Sequence, residues 1–337
     1  MGREEESLVD GPYFDDLRHG MRFENAPAVT LTEGLAAAHE AIVGCRLPLV
    51  LDHALARRVT GADGALAPPN LVWDIAIGHS SVVTHAVRAN LFYRGVVFRR
   101  APRIGDTLRT VTEVVGLRQN RRRPGRPATG LAALRVRTRD QHGRPVLDFW
   151  RCAMLPLRDQ DRDTGHADDL SGIGAAPTFA ELSRVAADWR LDAYRSYLPG
   201  RPAAGLAGRV FRVAGGDVVS AAPELARLTL NIAKVHHDAA AAGGRRLVYG
   251  GHTIGIALHQ AVRALPEIVT VVGWHGCDHL GPVWEGDTLY STVEVERTEP
   301  AGQGALVHLR SRVHARRPGE PQADVLDWRF VAVVADG

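Results

Sequence analysis

Lysine is almost missing from this chain: of its 41 basic residues only Lys234 is a lysine, and the other 40 are arginines. Lysine-centred chemistry would therefore rest on one residue, and the neighbours of Lys234 show no sign of a Schiff-base pocket, so it is expected to face solvent. Cysteine is scarce too. Cys45, Cys152 and Cys277 lie far apart with no CxxC or zinc-type spacing, which excludes a disulfide framework and a cysteine zinc site. Net charge is nearly absent at +3, too little to point to a nucleic-acid partner. No uninterrupted apolar run approaches the ~18 residues of a membrane span. The acidic stretch Met1–Asp10 lacks the basic-then-apolar order of a signal peptide. A cytoplasmic protein with reduced cysteines is expected. What remains is ordinary globular composition, 45% hydrophobic and 23% charged over 337 residues, enough for two domains.

The strongest global signal is self-similarity. Gly105-Asp106-Thr107-Leu108 returns as Gly286-Asp287-Thr288-Leu289, 181 residues on. Val146-Leu147-Asp148 returns as Val325-Leu326-Asp327 after 179 residues, and Gly20-Met-Arg-Phe23 as Gly208-Arg-Val-Phe211 after 188. Three matches in one order, at nearly one offset, mean two copies of one unit. The expected division is a first copy over 10–157, a linker over 158–185 and a second copy over 186–335, with Arg158 to Pro177 read as solvated.

Each copy repeats one order of elements. A short strand at Phe23 or Phe211 leads to a capping hydroxyl, Thr32 or Ser220, and an Ala-rich helix. A strongly apolar helix follows, expected over Leu71–Ala89 and Thr253–Leu265. Such a helix is expected to be wrapped by other elements. Alternating segments such as Thr107–Val115, Leu131–Arg139 and Val146–Leu155 complete the first copy as strands. A buried helix with an antiparallel sheet curled round it, twice over, is an α+β double hotdog.

The richest polar cluster precedes the second apolar helix: Asn231, His236, His237 and Asp238, then Arg245-Arg246-Leu-Val-Tyr249-Gly250-Gly251-His252. Asn231 and His236 are spaced to converge where the chain leaves a helix and turns. A histidine is the default general base near neutral pH. Gly250-Gly251 at a helix N-terminus offers unpaired N–H groups to a developing oxyanion. The run Arg118, Arg121-Arg122-Arg123, Arg126 reads as a solvated hairpin tip in preference to a phosphate site. His275 and His279, flanking Cys277, fit no strong metal motif and read as strand residues near a site mouth.

These residues carry a resemblance. The segment from Asn231 to His236 is similar to the MaoC-type, (R)-specific enoyl-CoA hydratase motif, in which an Asp and a His five residues later hold the reacting water. The whole chain resembles the double-hotdog mesaconyl-CoA hydratase (β-methylmalyl-CoA dehydratase) family, through Gly116-Leu-Arg-Gln-Asn120, Gly105-Asp106-Thr107-Leu108, the Asn231–His236 element and Arg245–His252. The resemblance implies an acyl-CoA thioester substrate, reversible addition of water, and no cofactor beyond the CoA carried by the substrate. It implies Asn231, His236 and Gly251 as catalytic residues, with Arg245, Arg246, Tyr249, Gly250 and His252 binding substrate. Asn231 stands where the broader motif has Asp, and an amide orients water without accepting its proton, so either His236 handles both transfers or an acid such as Asp238 assists. The first copy lacks the Asn-x4-His spacing in Leu47–His53 and has Pro68-Pro69-Asn70 in place of Gly-Gly, so one site per chain is expected. A non-catalytic acyl-CoA binder and a hotdog thioesterase stand as alternatives. The thioesterase is disfavoured because Thr253–Leu265 carries no acid. Pairing into a homodimer is left open.

Overall fold

The computed structural model describes residues 9–198 and 201–335, so most of the acidic N-terminal run lies outside the described residues. Among the described residues, twelve strands form one sheet. In the first half they are β1 (Arg22–Phe23), β2 (Val29–Thr30), β3 (Ala89–Phe98), β4 (Thr107–Gln119), β5 (Thr129–Arg139) and β6 (Pro145–Pro156). In the second they are β7 (Val210–Arg212), β8 (Asp217–Val218), β9 (Ile268–His279), β10 (Thr288–Ala301), β11 (Gly304–Arg316) and β12 (Ala323–Ala335). The order is β1-β4-β5-β6-β3-β9-β12-β11-β10-β7, with β2 on β4 and β8 on β10. Read outward from the central β3–β9 seam, the two halves have the same strand order, so the sequence repeat is a structural repeat. At the seam the strands pair antiparallel, with Tyr93 opposite Cys277 and Val96 opposite Trp274. This is the double hotdog.

The repeated Gly-Asp-Thr-Leu is a turn device. Gly105 and Gly286 hold φ of 97° and 90°, a region that favours glycine. The following Asp accepts the N–H three residues back, Arg103 to Asp106 and Trp284 to Asp287, each at 2.9 Å. Each buried carboxylate also takes a guanidinium, from Arg100 and Arg317 respectively. The motif shapes the entry to β4 and β10 in both copies, which explains its repetition without any chemistry.

The first buried helix is Pro69–His79, all of whose residues are buried. It is shorter than expected and does not reach Ala89, where β3 begins. Ser80 and Ser81 turn back to donate to the carbonyls of Ile77 and Gly78, at 2.6 and 2.5 Å, and a 3-10 turn over Ser80–Val82 closes the helix. The second buried helix, Gly250–Ala264, begins three residues earlier than expected and takes both glycines into its first turn. Trp73 of the first helix meets the other copy's sheet, edge-on to Trp274 at 4.8 Å and to Trp328 at 6.0 Å. The apolar core is therefore continuous across the seam.

Two smaller expectations change. Thr32 caps its helix by accepting Leu35 N–H at 3.1 Å, but Ser220 has no such role. The short helix Ala222–Leu228 starts from Ala221 at φ 55°, and Ala222 N–H donates to Glu285 at 3.2 Å. Residues 158–177 are tacked to the sheet rather than free. Asp168 N–H donates to Leu117 O, Gln119 N–H to His166 O, and Leu170 and Ile173 fill the space that a side chain on Gly116 would occupy.

Gly78 sets how closely the two copies approach. A Cβ there would lie 1.8 Å from the Thr229 carbonyl oxygen and 3.2 Å from Asn231 N. Those are backbone atoms that cannot rotate away, so Gly78→Ala is expected to destabilise the chain by about 2 kcal/mol and to displace Asn231. Thermal melting of the variant checks this, and an unchanged midpoint would contradict the tight crossing.

Candidate functional site

Beyond that crossing the chain leaves the helix Ala222–Leu228 through Leu230, at φ 56°. Asn231 N–H returns to Ala226 O at 2.8 Å, and Ile232 N–H donates to Ser81 Oγ at 2.9 Å. One 3-10 turn, Lys234–His236, then delivers His236. Lys234 is held in an ion pair with Asp10 at 2.6 Å rather than facing solvent unpaired. That pair pulls the Asp10 carboxyl well below the usual range.

Asn231, His236, Tyr249 and Gly250 meet on the wall of one cavity of about 580 Å³. His236 Nδ1 lies 2.8 Å from the Leu247 carbonyl oxygen. A carbonyl only accepts, so Nδ1 carries the hydrogen and Nε2 the lone pair. Burial pushes the His236 pKa down to about 4, against the Leu247 bond that raises it and with His237 and Arg151 adding to the fall. The ring is therefore neutral at pH 7, the form a base needs. Asn231 is 4% exposed, and its Oδ1 accepts Ala233 N–H at 3.0 Å. Its amide N–H groups are left to hold a water oxygen or substrate.

Gly250 and Gly251 fill the first turn of the second buried helix, where N–H groups have no partner within the helix. Gly250 lines the cavity, and a Cβ on it would come 2.6 Å from His279 Nε2. Gly251 sits behind it. Its missing side chain leaves room for Asp74, whose Oδ1 would be 2.0 Å from a Cβ there.

The expected binding residues divide. The Tyr249 ring forms wall, but its hydroxyl is committed to the Asp74 carbonyl at 2.9 Å. His252 is fully buried, does not line the cavity, and its ring nitrogens have no hydrogen-bond partner among the described residues. A substrate-donating role for it is corrected by this burial. Arg245 and Arg246 also stand off the cavity wall. Arg245 lies over the Trp284 ring and 3.8 Å from Asp287, and Arg246 pairs with Glu285 at 3.0 Å. They brace the mouth loop instead of reaching in. Asp238 is exposed and caps its own turn through Ala240 N–H at 2.8 Å, so it does not assist His236. Trp284 lines the cavity, whereas Trp274 belongs to the core.

Other wall residues come from the first copy and the seam. Tyr93 and Asn90 lie on β3, Arg151 on β6, and Ser81 and Thr84 follow the first buried helix. His279 ends β9, with Nε2 buried and lacking a partner among the described residues; burial lowers its pKa to about 4. His275 is on the same strand but stacks on His308, with Nε2 to Nδ1 at 2.8 Å. The sequence signal for His279 was its place near the mouth; for Arg151 it lies in the repeat, where its counterpart is Phe330.

The corresponding place in the first copy is closed. At the N-terminus of the first buried helix only about 20 Å³ remains, lined by apolar side chains that include Leu49, Val50, Pro69 and Phe98. Asp52 there caps a helix through Leu55 N–H at 2.9 Å. Asp74 is an acid on a buried helix, the position that favours a thioesterase, but it is fully buried against His39 at 2.9 Å and does not line the cavity. Burial raises its carboxyl pKa, with the His39 bond opposing.

No family model matches the chain. It is 30% identical over 326 residues to mesaconyl-CoA hydratase of Cereibacter sphaeroides, covering 92% of this chain and 90% of that protein. It is 29% identical over 296 residues to β-methylmalyl-CoA dehydratase of Chloroflexus aurantiacus, covering 85% and 82%. Among solved structures, RV0216 of Mycobacterium tuberculosis, described as a double hotdog, is 54% identical with a TM-score of 0.89 over 96% of this chain and 98% of that one. Coverage of both halves at this identity, with the Asn231–His236 element and the helix N-terminus meeting in one cavity, places the chain in the mesaconyl-CoA hydratase and β-methylmalyl-CoA dehydratase family of MaoC-like, double-hotdog hydratases and dehydratases.

Proposed function

We propose that the chain adds water reversibly across an α,β-unsaturated acyl-CoA thioester, with His236 as general acid and base. The observation that carries this is the His236 tautomer: Leu247 fixes the hydrogen on Nδ1, and the basic Nε2 belongs to a ring on the wall shared with Asn231 and Gly250. Asn231 donates to the water oxygen while His236 Nε2 takes one of its protons. The hydroxide oxygen bonds to Cβ, and the alkene electron pair moves into the thioester as an enolate. The first-turn N–H of Gly250, on the cavity wall, holds that oxygen in place of Gly251 behind it, and one such donor is worth about 3 kcal/mol in the transition state. The imidazolium then returns its proton to Cα on the same face, and both hydrogens of the water are accounted for.

A second feature supports a CoA ester. Arg88 lines both the cavity and a neighbouring depression of about 980 Å³, where Arg118, Arg121, Arg123 and Arg126 also stand. The hairpin-tip arginines thus face a groove suited to a phosphorylated tail.

Loss of the enoyl-thioester absorbance band with crotonyl-CoA, longer enoyl-CoA and mesaconyl-CoA tests the reading. Consumption of at least one is expected. If none is consumed while calorimetry still registers CoA-ester binding, the chain is an acyl-CoA binder and the hydratase reading fails.

A further inference from the structure

Arg151 is 5% exposed and lines the cavity. Two of its N–H groups are used, Nε on Asn90 Oδ1 at 2.9 Å and Nη1 on Ser80 Oγ at 2.7 Å. Both partners are neutral. Among the described residues no Asp or Glu forms an ion pair with it. Elsewhere on the sheet even half-exposed arginines are neutralised: Arg135 by Asp148 at 2.8 Å and Arg310 by Asp327. The carbonyl end of the first buried helix, at Ser80, contributes roughly half a negative charge at most. A guanidinium this buried is costly unless an anion meets it.

The repeat makes the anomaly sharper. Asp148 corresponds to Asp327, so Arg151, three residues on, corresponds to Phe330. Phe330 is fully buried and stacks on Trp328 at 3.8 Å. The fold thus asks for an apolar side chain at this point of the strand, and only the copy facing the open cavity replaces it with a charge.

We propose that Arg151 is the specificity-determining residue of the cavity: its unused guanidinium N–H groups bind a carboxylate at the far end of the acyl chain. The proposal rests on the hydratase reading for the identity of the reacting group. It assigns to Arg151 the anion-binding task that Arg245 and Arg246, already paired with Asp287 and Glu285, do not perform inside the cavity. Bidentate, charge-assisted contact with a carboxylate is the geometry that a guanidinium suits best.

The test compares mesaconyl-CoA, whose acyl group ends in a carboxylate, with crotonyl-CoA, which has none. Arg151→Met is expected to lower the ratio of kcat/KM for mesaconyl-CoA over crotonyl-CoA by roughly 100-fold. A ratio that stays put in a folded variant overturns the proposal. Because Met also abandons Asn90 and Ser80, a second measurement uses the unmodified chain. Succinyl-CoA is expected to bind roughly 10-fold tighter than butyryl-CoA by calorimetry, and equal or weaker binding overturns the proposal independently. If the unmodified chain hydrates neither enoyl ester, the hydratase reading falls, while the succinyl–butyryl comparison still decides the role of Arg151.

Discussion

Replacing His236 by alanine is expected to lower turnover on the order of 1,000-fold while the chain stays folded. The ring makes one hydrogen bond, to Leu247 O, and faces a cavity rather than the close-packed core, so its loss removes chemistry and little packing. The same geometry fixes the acid side of the pH profile. Burial holds the pKa near 4, against about 6.5 for a free imidazole. The base is therefore unprotonated across the neutral range, and kcat/KM is expected to hold level down to about pH 5 before falling. Full activity in the alanine variant would remove His236 as the base. A limb centred near 6.5 would show instead that water reaches the ring freely in the working enzyme.

Unfolding by urea is expected to need much less denaturant at pH 5 than at pH 7. His79 and His252 are essentially inaccessible, and burial lowers each pKa to about 4 from the ordinary 6.5. Above pH 6.5 neither the folded nor the unfolded chain protonates them, and stability is whole. Between 6.5 and 4 only the unfolded chain takes up the proton, so stability falls as pH falls. At pH 5 the loss is about 2 kcal/mol for each, or about 4 kcal/mol together, within a total stability of roughly 5–15 kcal/mol. Carboxylates held low by their partners act in a different window. Glu181, at about 2 against 4.5, withdraws its contribution below pH 4.5. A slope already present between pH 6.5 and 5 therefore belongs to buried histidine, and a flat stability there would mean that these rings protonate inside the fold at little cost.

How much of this was legible in the chain depended on whether a feature repeats or is local. The two copies, the buried helices and the strands of the first copy follow from spacing and periodicity, because identical packing demands recur at nearly one offset. The Asn231–His236 element was legible because its members are close in sequence and share one turn. For Arg245 and Arg246 the resemblance implied substrate binding, whereas the mouth loop supplies Glu285 and Asp287, which pair with them off the cavity wall. The helix end at Ser80 was missed because the stop is a side-chain hydroxyl competing for the last carbonyls, not a glycine or proline. Tyr93, Asn90 and His279 reach the cavity through the seam pairing of β3 and β9, a contact between residues more than half a chain apart, and Arg151 through β6 beside it; no local pattern encodes either.

The closed pocket at Leu49, Val50 and Phe98 has a consequence for what such a chain can become. In a dimer of identical hotdogs every substitution is made twice, so a charge suited to one cavity is also planted in the other. Joining the copies in one polypeptide removes that constraint. Position 151 carries a guanidinium while its counterpart, Phe330, remains stacked in the core, and the idle cavity is filled with hydrocarbon that steadies the shared sheet. Half of the molecule has become scaffolding and wall, and the surviving cavity draws side chains from both halves.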